Sequence, residues 1–191
     1  MNFDLNTLKD RFAVTKSGTV VPDSCLQLMA SLEVRDPDGK LKYMEEVPAR
    51  SILRWWGRFY QAIFTSSSTW TVTNTGGTSS TMPWDNSSAI NTTAVVPATM
   101  YFGTGVTAPT ATDFAIQTLH TSGTATTAQT ETSSATTVDV SASVLALSSV
   151  SLSEIALSTK MVNTSVVLIE FLVARDTFTP IPVVINDGVT G

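Results

Sequence analysis

Beyond residue 64 the apolar residues come in short groups that alternate with Ser and Thr. Of all the features of the sequence, this pattern limits the possible folds most strongly. Trp70 and Val72 are two residues apart, as are Val138 and Val140. A period of two places side chains on one face of a β-strand. Gly, Pro, Asn and Ser bound the groups, as in proteins with many short strands joined by turns. The sequence therefore predicts a mainly β protein, with a β-sandwich or jelly-roll-like domain.

The N-terminal part of this domain is predicted to be a β-hairpin over 26–44. Apolar and polar residues alternate along 26–34, and Leu41 and Tyr43 resume the alternation. Between them, 36–39 read Asp-Pro-Asp-Gly, in which Pro presets a turn and Gly takes a positive φ. We expect residues 1–24 to form an extended N-terminal arm and 25–191 to form the domain. Within the domain, 73–91 and 121–137 are rich in Thr and predict long loops or exposed strands.

One α-helix is predicted over 48–64, because Pro48 suits a first helical turn and the apolar residues then follow a helical period. One face carries Arg50, Arg54 and Arg58. This face is either solvated or docks an acidic neighbouring subunit, since Arg is favoured at interfaces. Trp55 and Trp56 are adjacent and cannot both face the same core, so we expect one of them to meet another element or chain.

The two ends of the chain suggest a second contact between copies. The arm has four apolar residues able to anchor it on a surface, Phe3, Leu5, Leu8 and Phe12. At the other end, 183–185 predict a strand and 186–188 a turn, after which three residues are too few for a full returning strand. An open sheet edge would recruit a strand, so we expect the arm of a neighbouring copy to cover this edge.

Charge and composition exclude several partner classes. Of the 191 residues, 42% are hydrophobic and 14% are charged, and nine of the eleven Lys and Arg lie between Lys9 and Arg58. The middle of the chain cannot neutralise phosphates, so direct nucleic-acid binding is not expected. No run approaches the ~20 apolar residues of a membrane span, and the start lacks a secretory signal. We therefore expect synthesis in a cytoplasm and no membrane partner.

Residues able to carry chemistry are few. His120 is predicted to be a surface or turn histidine that belongs to no catalytic triad. Cys25, the single cysteine, is predicted to be a small buried residue. The segment Gly103-Thr104-Gly105 lacks the further Gly or Lys of a phosphate loop and predicts a structural turn. Five acids lie between Arg58 and Lys160, namely Asp85, Asp113, Glu131, Asp139 and Glu154. No catalytic, cofactor or metal site is expected.

The segment 166–173 is almost continuously apolar and predicts a central strand buried on both faces. Arg175 and Asp176 follow it. Since neighbouring strand residues point to opposite faces, the two are not expected to form one catalytic site. We expect Arg175 to pair with a carboxylate from a facing strand, and Asp176 to cap the turn toward Thr177 and Thr179.

Three segments together resemble a family of tailed-bacteriophage virion proteins. Residues 101–118 contain Tyr-Phe-Gly-Thr-Gly and, later, Ala-Pro-Thr-Ala-Thr-Asp-Phe; 153–157 read Ser-Glu-Ile-Ala-Leu, and 172–180 read Leu-Val-Ala-Arg-Asp-Thr-Phe-Thr-Pro. The order of the 36–39 turn and the following Arg50-Ser51 helix is also similar. Ala156 departs from the family's usual glycine, and relatives continue into one more strand beyond Gly191. The resemblance implies a particle component without a defined active site.

The expected function is thus a non-enzymatic virion structural protein that decorates or stabilises a phage capsid. Its expected partners are copies of itself and other virion proteins, such as the major capsid protein. The alternative is a tail, collar or fibre component with a host-receptor or glycan-binding role. In that alternative Trp70, Trp84 and Tyr101 would stack on sugars.

Overall fold

The computed structural model describes residues 12–14, 20–22, 29–48, 69–83, 98–110, 112–131 and 136–191. These residues form fourteen β-strands and no helix. The strands are β1 (Phe12–Val14), β2 (Val20–Pro22), β3 (Met29–Arg35), β4 (Leu41–Pro48), β5 (Thr69–Thr73), β6 (Ser79–Pro83), β7 (Thr99–Gly103), β8 (Leu119–Thr124), β9 (Thr126–Glu131), β10 (Thr136–Ser141), β11 (Ser143–Leu145), β12 (Val150–Val162), β13 (Leu168–Val183) and β14 (Gly188–Thr190).

The strands form two four-stranded sheets and three two-stranded ones. Sheet I has the order β11-β14-β3-β4, and sheet II has the order β13-β12-β7-β8. The pairs β1-β2, β5-β6 and β9-β10 form the small sheets. Every one of these pairings is antiparallel. The prediction of a mainly β protein is confirmed.

The predicted N-terminal hairpin is present as β3 and β4. Gly39 has a φ of 83°, and the Asp36 carboxylate accepts hydrogen bonds from the N–H of Asp38 at 3.1 Å and of Lys40 at 2.8 Å. Strand β4 continues to Pro48, which pairs with Met29. Pro48 therefore ends a strand instead of starting a helix, a position that tolerates its missing N–H because β4 is an edge strand of the described sheet. The rest of the predicted helix over 48–64 lies outside the described residues.

A shared apolar core joins the two large sheets. Leu32, Val34 and Val189 from sheet I are buried in one cluster with residues of sheet II. The residues that sheet II contributes are Met100, Phe102, Leu152, Ile155, Ile181 and Val183. Burial of these side chains is the main stabilising contribution, because apolar area removed from water contributes about 25 cal/mol per Å².

The opposite face of sheet II carries a second core under the β5-β6 hairpin. Trp70 and Val72, the pair noted for its spacing of two, both point inward with Met82. Trp70 meets the ring of Phe171 edge to face, with the ring centroids 5.7 Å apart. The hairpin is also tied to sheet II through the N–H of Thr75, which donates to the Glu170 carbonyl at 3.0 Å.

The long β12-β13 hairpin corrects the prediction of a central strand over 166–173. Strand β13 begins at Leu168 and lies at the edge of sheet II. Val166 and Val167 are exposed and belong to the turn, in which Val166 has a φ of 61°. The Asn163 side chain forms this turn by accepting the N–H groups of Ser165 and Val167. The predicted burial on both faces holds for the later run 171–176.

The end of the chain corrects the prediction of an open sheet edge. Strand β14 has three residues, yet it lies inside sheet I with β11 on one side and β3 on the other. Gly191 continues the pairing, donating to the Ala142 carbonyl at 3.0 Å and accepting from its N–H at 3.1 Å. The strand expected at 183–185 is absent, because Val183 ends β13 and residues 184–187 form the turn that leads into β14. A short strand suffices here because both neighbours supply its hydrogen bonds.

Candidate functional site: a buried arginine–carboxylate network

Arg175 is the largest fully buried side chain of the described residues, and it lies on β13 with 1% of its surface exposed. Its Nε donates to Glu154 Oε1 at 2.5 Å, and its Nη1 donates to Asp113 Oδ2 at 2.5 Å. Its Nη2 donates to the Thr107 carbonyl at 3.1 Å. A buried guanidinium needs such partners, because an unpaired charge in the interior is costly. The prediction that Arg175 pairs with a carboxylate is confirmed.

Glu154 carries this network from β12 into the loop that follows β7. It is fully buried, and Oε1 also accepts the N–H of Gln117 at 2.9 Å. Its other oxygen accepts the N–H groups of Gly105 at 3.1 Å and of Thr118 at 3.4 Å. The adjacent Ser153 hydroxyl donates to the Gly105 carbonyl at 3.0 Å. One carboxylate thus fixes both ends of the 104–118 loop.

Gly103 at the end of β7 and Gly105 in the loop provide space for Glu154. A Cβ on Gly103 would lie 2.8 Å from Glu154 Oε2 and from Ile116 Cδ1, and one on Gly105 would lie 2.8 Å from Gln117 Cβ. Real Cβ atoms do not approach other atoms so closely. Neither glycine has a positive φ. The prediction of a turn at 103–105 is wrong, because Gly103 ends strand β7 and residues 104–105 lead from it into the loop; both glycines are required for their close approach to Glu154.

Asp113, within the 104–118 loop, is the second carboxylate bound to Arg175. Its carboxylate accepts the Thr110 N–H at 3.0 Å and the Thr110 hydroxyl at 2.6 Å, beside its bond to Arg175. Burial by itself would raise the pKa of Asp113, but the Thr110 hydrogen bonds and the Arg175 guanidinium lower it. Arg175, Glu154 and Asp113 therefore all have partners within the protein, and their contacts hold the loop against β12 and β13.

A second polar cluster lies on the same face of sheet II, beside the second core and around Tyr101. Glu170 Oε1 accepts the Tyr101 hydroxyl and the Ser158 hydroxyl, each at 2.6 Å, and Lys160 lies 3.7 Å from Oε2. Burial, followed by the hydrogen bond to Glu170 and its charge, raises the pKa of Tyr101 to about 12. Burial opposes ionisation of Glu170, yet the Ser158 and Tyr101 hydrogen bonds lower its pKa overall. The fully buried Ser158 cannot act as an accessible nucleophile.

The aromatic residues proposed to stack on sugars do not form a common platform. Trp70 is in the second core against Phe171, where a sugar cannot reach its ring face. Tyr101 packs beside the same core and uses its hydroxyl on Glu170. Trp84 lies outside the described residues. The expectation of Trp70 as a stacking platform is therefore wrong.

Other candidate residues are found in different places. His120 lies in β8 at a register irregularity, not in a loop, and among the described residues its buried Nε2 has no hydrogen-bond partner. Asp176 accepts the Thr177 N–H at 3.1 Å as expected, but it lies within strand β13, so the turn that it was expected to cap is absent. Asp139 lies on β10 and Glu131 ends β9, whereas Cys25 and Asp85 are outside the described residues.

The predicted interface residues remain predictions. Those on the expected helix, Arg50, Arg54, Trp55, Trp56 and Arg58, lie outside the described residues, as do Phe3, Leu5 and Leu8 of the arm. Phe12 is the first residue of β1, where it pairs with Pro22.

The ion pair between Lys42 and Asp187 was not anticipated from the sequence. The Lys42 ammonium lies 2.6 Å from Asp187 Oδ2, which also accepts the Val184 N–H at 2.9 Å. Burial would raise the pKa of Asp187, but the hydrogen bonds from Lys42 and Val184 lower it. The Asn-Asp-Gly sequence at 186–188 indicated a turn. It could not indicate Lys42 on β4 as the partner of Asp187, because the two residues are distant in sequence. The described residues contain no group of three metal-ligating side chains.

Comparison of the chain with protein-family models, with curated proteins and with solved structures finds no match in any of the three. Within the described part of the chain, no helix is long and apolar enough to cross a membrane.

Proposed function

We propose that this chain is a non-enzymatic virion structural protein of a tailed bacteriophage, in which sheets I and II pack as a β-sandwich. In this proposal it decorates or stabilises the capsid by contacts with copies of itself and with other virion proteins, such as the major capsid protein. It is synthesised in the host cytoplasm and functions in the particle.

One observation carries the proposal. The three sequence segments that resemble the virion family meet in one network, through Asp113, Glu154 and Arg175. Gly105 from the same segments lies directly against it. Segments far apart in sequence that share one buried site have a structural reason to occur together, which gives the resemblance more weight than three unconnected short motifs would have.

The character of this network supports a structural role. Arg175 is almost fully buried, and two carboxylates balance its charge. The guanidinium is therefore held by groups of the protein itself, an arrangement that suits a rigid structural element better than a ligand site. A cavity of about 10 Å³ between Leu32, Ile155 and Phe178 has room for roughly one water.

The capsid role is favoured over the tail or fibre alternative with a glycan-binding tip. Burial of Trp70 removes one of the three rings on which that alternative relied. A glycan array with the purified chain separates the two. Reproducible binding that free sugar competes away, and that Trp84→Ala abolishes, would favour the alternative.

Mass spectrometry of intact, purified particles of the encoding virus tests the proposal. We expect peptides of the chain in the particles in many copies relative to the portal, as for a shell component. A dozen or fewer copies would move the protein to the neck or tip. Absence from particles, with the chain present in infected cells, would overturn the virion assignment.

A further inference from the structure

Three turns of the described chain share one hydrogen-bond pattern, over 36–40, 74–78 and 163–167. In each, the side-chain oxygen of the first residue accepts the N–H groups two and four positions later, and its carbonyl accepts the N–H three positions later. The fourth residue has a positive φ, 83° at Gly39, 83° at Gly77 and 61° at Val166. The same turn therefore contains glycine twice and valine once at its left-handed position.

Val166 is an unfavourable residue for this position. A β-branched side chain in the left-handed region is strained, whereas glycine is not. Packing within the protein does not offset the strain, because Val166 is 84% exposed. A strained residue of this kind points to a role other than the folding of the chain itself. Val167 and Leu168 beside it are also exposed, and we call the three residues the tip patch of the β12-β13 hairpin.

A second exposed apolar patch lies at the open end of the same hairpin, where Val150 pairs with Val183. The segments 145–147 and 184–187 lie side by side there, because Ala146 exchanges backbone hydrogen bonds with Asn186 and Asp187. Four apolar residues of these segments are between 47% and 66% exposed, namely Leu145, Leu147, Val184 and Ile185. We call them the root patch. Apolar patches on a protein surface mark contact sites.

The two patches cannot meet within one copy. Strand β12 has 13 residues, which separates the two ends of the hairpin by up to about 40 Å. No charged residue occurs in 143–149, 161–169 or 184–186, so the two patches match in chemistry. Every copy carries one of each, and docking a tip patch on a root patch removes both from water in equal number. A second copy of the chain is therefore the partner that fits both patches.

We propose that the tip patch of one copy docks on the root patch of a second copy. The contact joins different surfaces of the two copies, so its repetition closes a ring or continues as a row of copies. This inference rests on the proposed assembly function and names the surfaces through which copies associate.

Sedimentation velocity over a range of protein concentrations tests the contact with the purified chain. We expect the wild-type chain to form oligomers that grow with concentration. Val166→Asn should weaken this association by about tenfold, because it removes an apolar contact. It should also raise the urea midpoint, since Asn tolerates a positive φ, which shows that the lost association is not due to unfolding.

Val106→Asn is the matched control, at a position that is 73% exposed and belongs to neither patch. It should leave the association unchanged. Equal association of the two variants would overturn the proposal. A wild-type chain that remains monomeric would also overturn it, and would leave another protein or a lipid surface as the occupant of the patches.

Mixing two variants distinguishes head-to-tail docking from contact between identical patches. Val166→Asn keeps the root patch, and Leu147→Asn keeps the tip patch. At a concentration at which the wild-type chain forms oligomers, we expect each variant alone to be monomeric and folded by circular dichroism. The mixture should form a one-to-one complex that grows no further, because one intact tip and one intact root remain to meet. A variant that associates alone as well as the wild-type chain would overturn the proposal.

These measurements do not depend on the particle. A chain that is found in particles but stays monomeric in solution would retain its virion role and lose the tip-to-root contact. Head-to-tail association by a chain that is absent from particles would retain the contact and lose the virion role.

Discussion

At the scale of single residues, the Arg175 network shows how a buried charge is made tolerable. Arg175 supplies three donors from a planar group, and two carboxylates and a carbonyl accept them. Such a network contributes little net stability compared with apolar packing of the same volume. Removing one member is costly, however, because the remaining charges lose their partners.

Arg175→Gln should therefore lower the free energy of unfolding by about 3–5 kcal/mol, since Glu154 would remain buried without a cation. Urea denaturation followed by tryptophan fluorescence measures this change. The matched control is Arg35→Gln, which breaks the exposed ion pair of Arg35 with Glu33 and should cost less than ~1 kcal/mol. Similar small losses for both variants would show that the network is not essential to the fold.

Gly105→Ala should lower the free energy of unfolding by about 1–3 kcal/mol, because the new methyl group overlaps Glu154 and Gln117. Gly76→Ala is the control, because its Cβ would meet just one atom, Asn74 Oδ1, at an ordinary 3.4 Å. Chemical denaturation compares the two. A Gly105→Ala protein as stable as Gly76→Ala would mean that the loop can shift to accept the methyl group.

Acid should destabilise the fold through Asp113, Glu170 and Asp187. Their folded pKa values lie below the ordinary 3.8, 4.5 and 3.8. Each therefore contributes stability that is complete above its ordinary pKa and is lost as pH falls through the lower folded value. We expect urea midpoints to be constant from pH 7 to 6 and to fall below about pH 4.5. A midpoint at pH 3 equal to that at pH 7 would contradict this linkage.

At the scale of elements, the β5-β6 hairpin shows how alternation produces a docking face. Trp70, Val72 and Met82 point to sheet II, while Thr71 and Ser79 point away. The hairpin is held in place by this apolar face together with two backbone hydrogen bonds, from the Thr75 N–H to the Glu170 carbonyl and from the Thr164 N–H to the Thr81 carbonyl. Its stability should therefore depend on the residues of that face.

Trp70→Ala should lower the free energy of unfolding by about 3–5 kcal/mol, because it removes the ring packed against Phe171 and leaves a cavity. Ser79→Ala, on the exposed side of the same hairpin, should change it by less than ~0.5 kcal/mol. Thermal unfolding by circular dichroism compares the variants. If Trp70→Ala matched Ser79→Ala, the hairpin would not be part of the cooperative unit.

At the scale of the whole molecule, the chain passes between the two sheets through the β9-β10 hairpin. Strand β8 ends in sheet II, the hairpin follows, and β11 begins in sheet I. Ala125 and Ala142, at the base of the hairpin, are buried in the core that the sheets share. The hairpin is thus anchored at its base.

The arginine face predicted over 50–58 belongs to this scale because it concerns assembly. Replacing Arg50, Arg54 and Arg58 together by Gln should weaken incorporation into particles, since Arg is favoured at interfaces. The isolated chain should remain nearly as stable, because exposed charges contribute less than ~1 kcal/mol each. Occupancy on particles and a melting curve measure the two effects. Unchanged occupancy would leave the solvated face as the correct interpretation.

Local patterns in the sequence determined the β class, the β3-β4 hairpin and the inward pair Trp70 and Val72, because alternation and turn chemistry act over a few residues. They also indicated that Arg175 needs a carboxylate, because a charge next to an apolar strand must be paired. The choice of Glu154 and Asp113, and the place of β14 between β11 and β3, were decided by the tertiary structure. Those contacts join residues distant in the chain, and burial and hydrogen-bond satisfaction select among many locally equivalent pairings once the sheets pack.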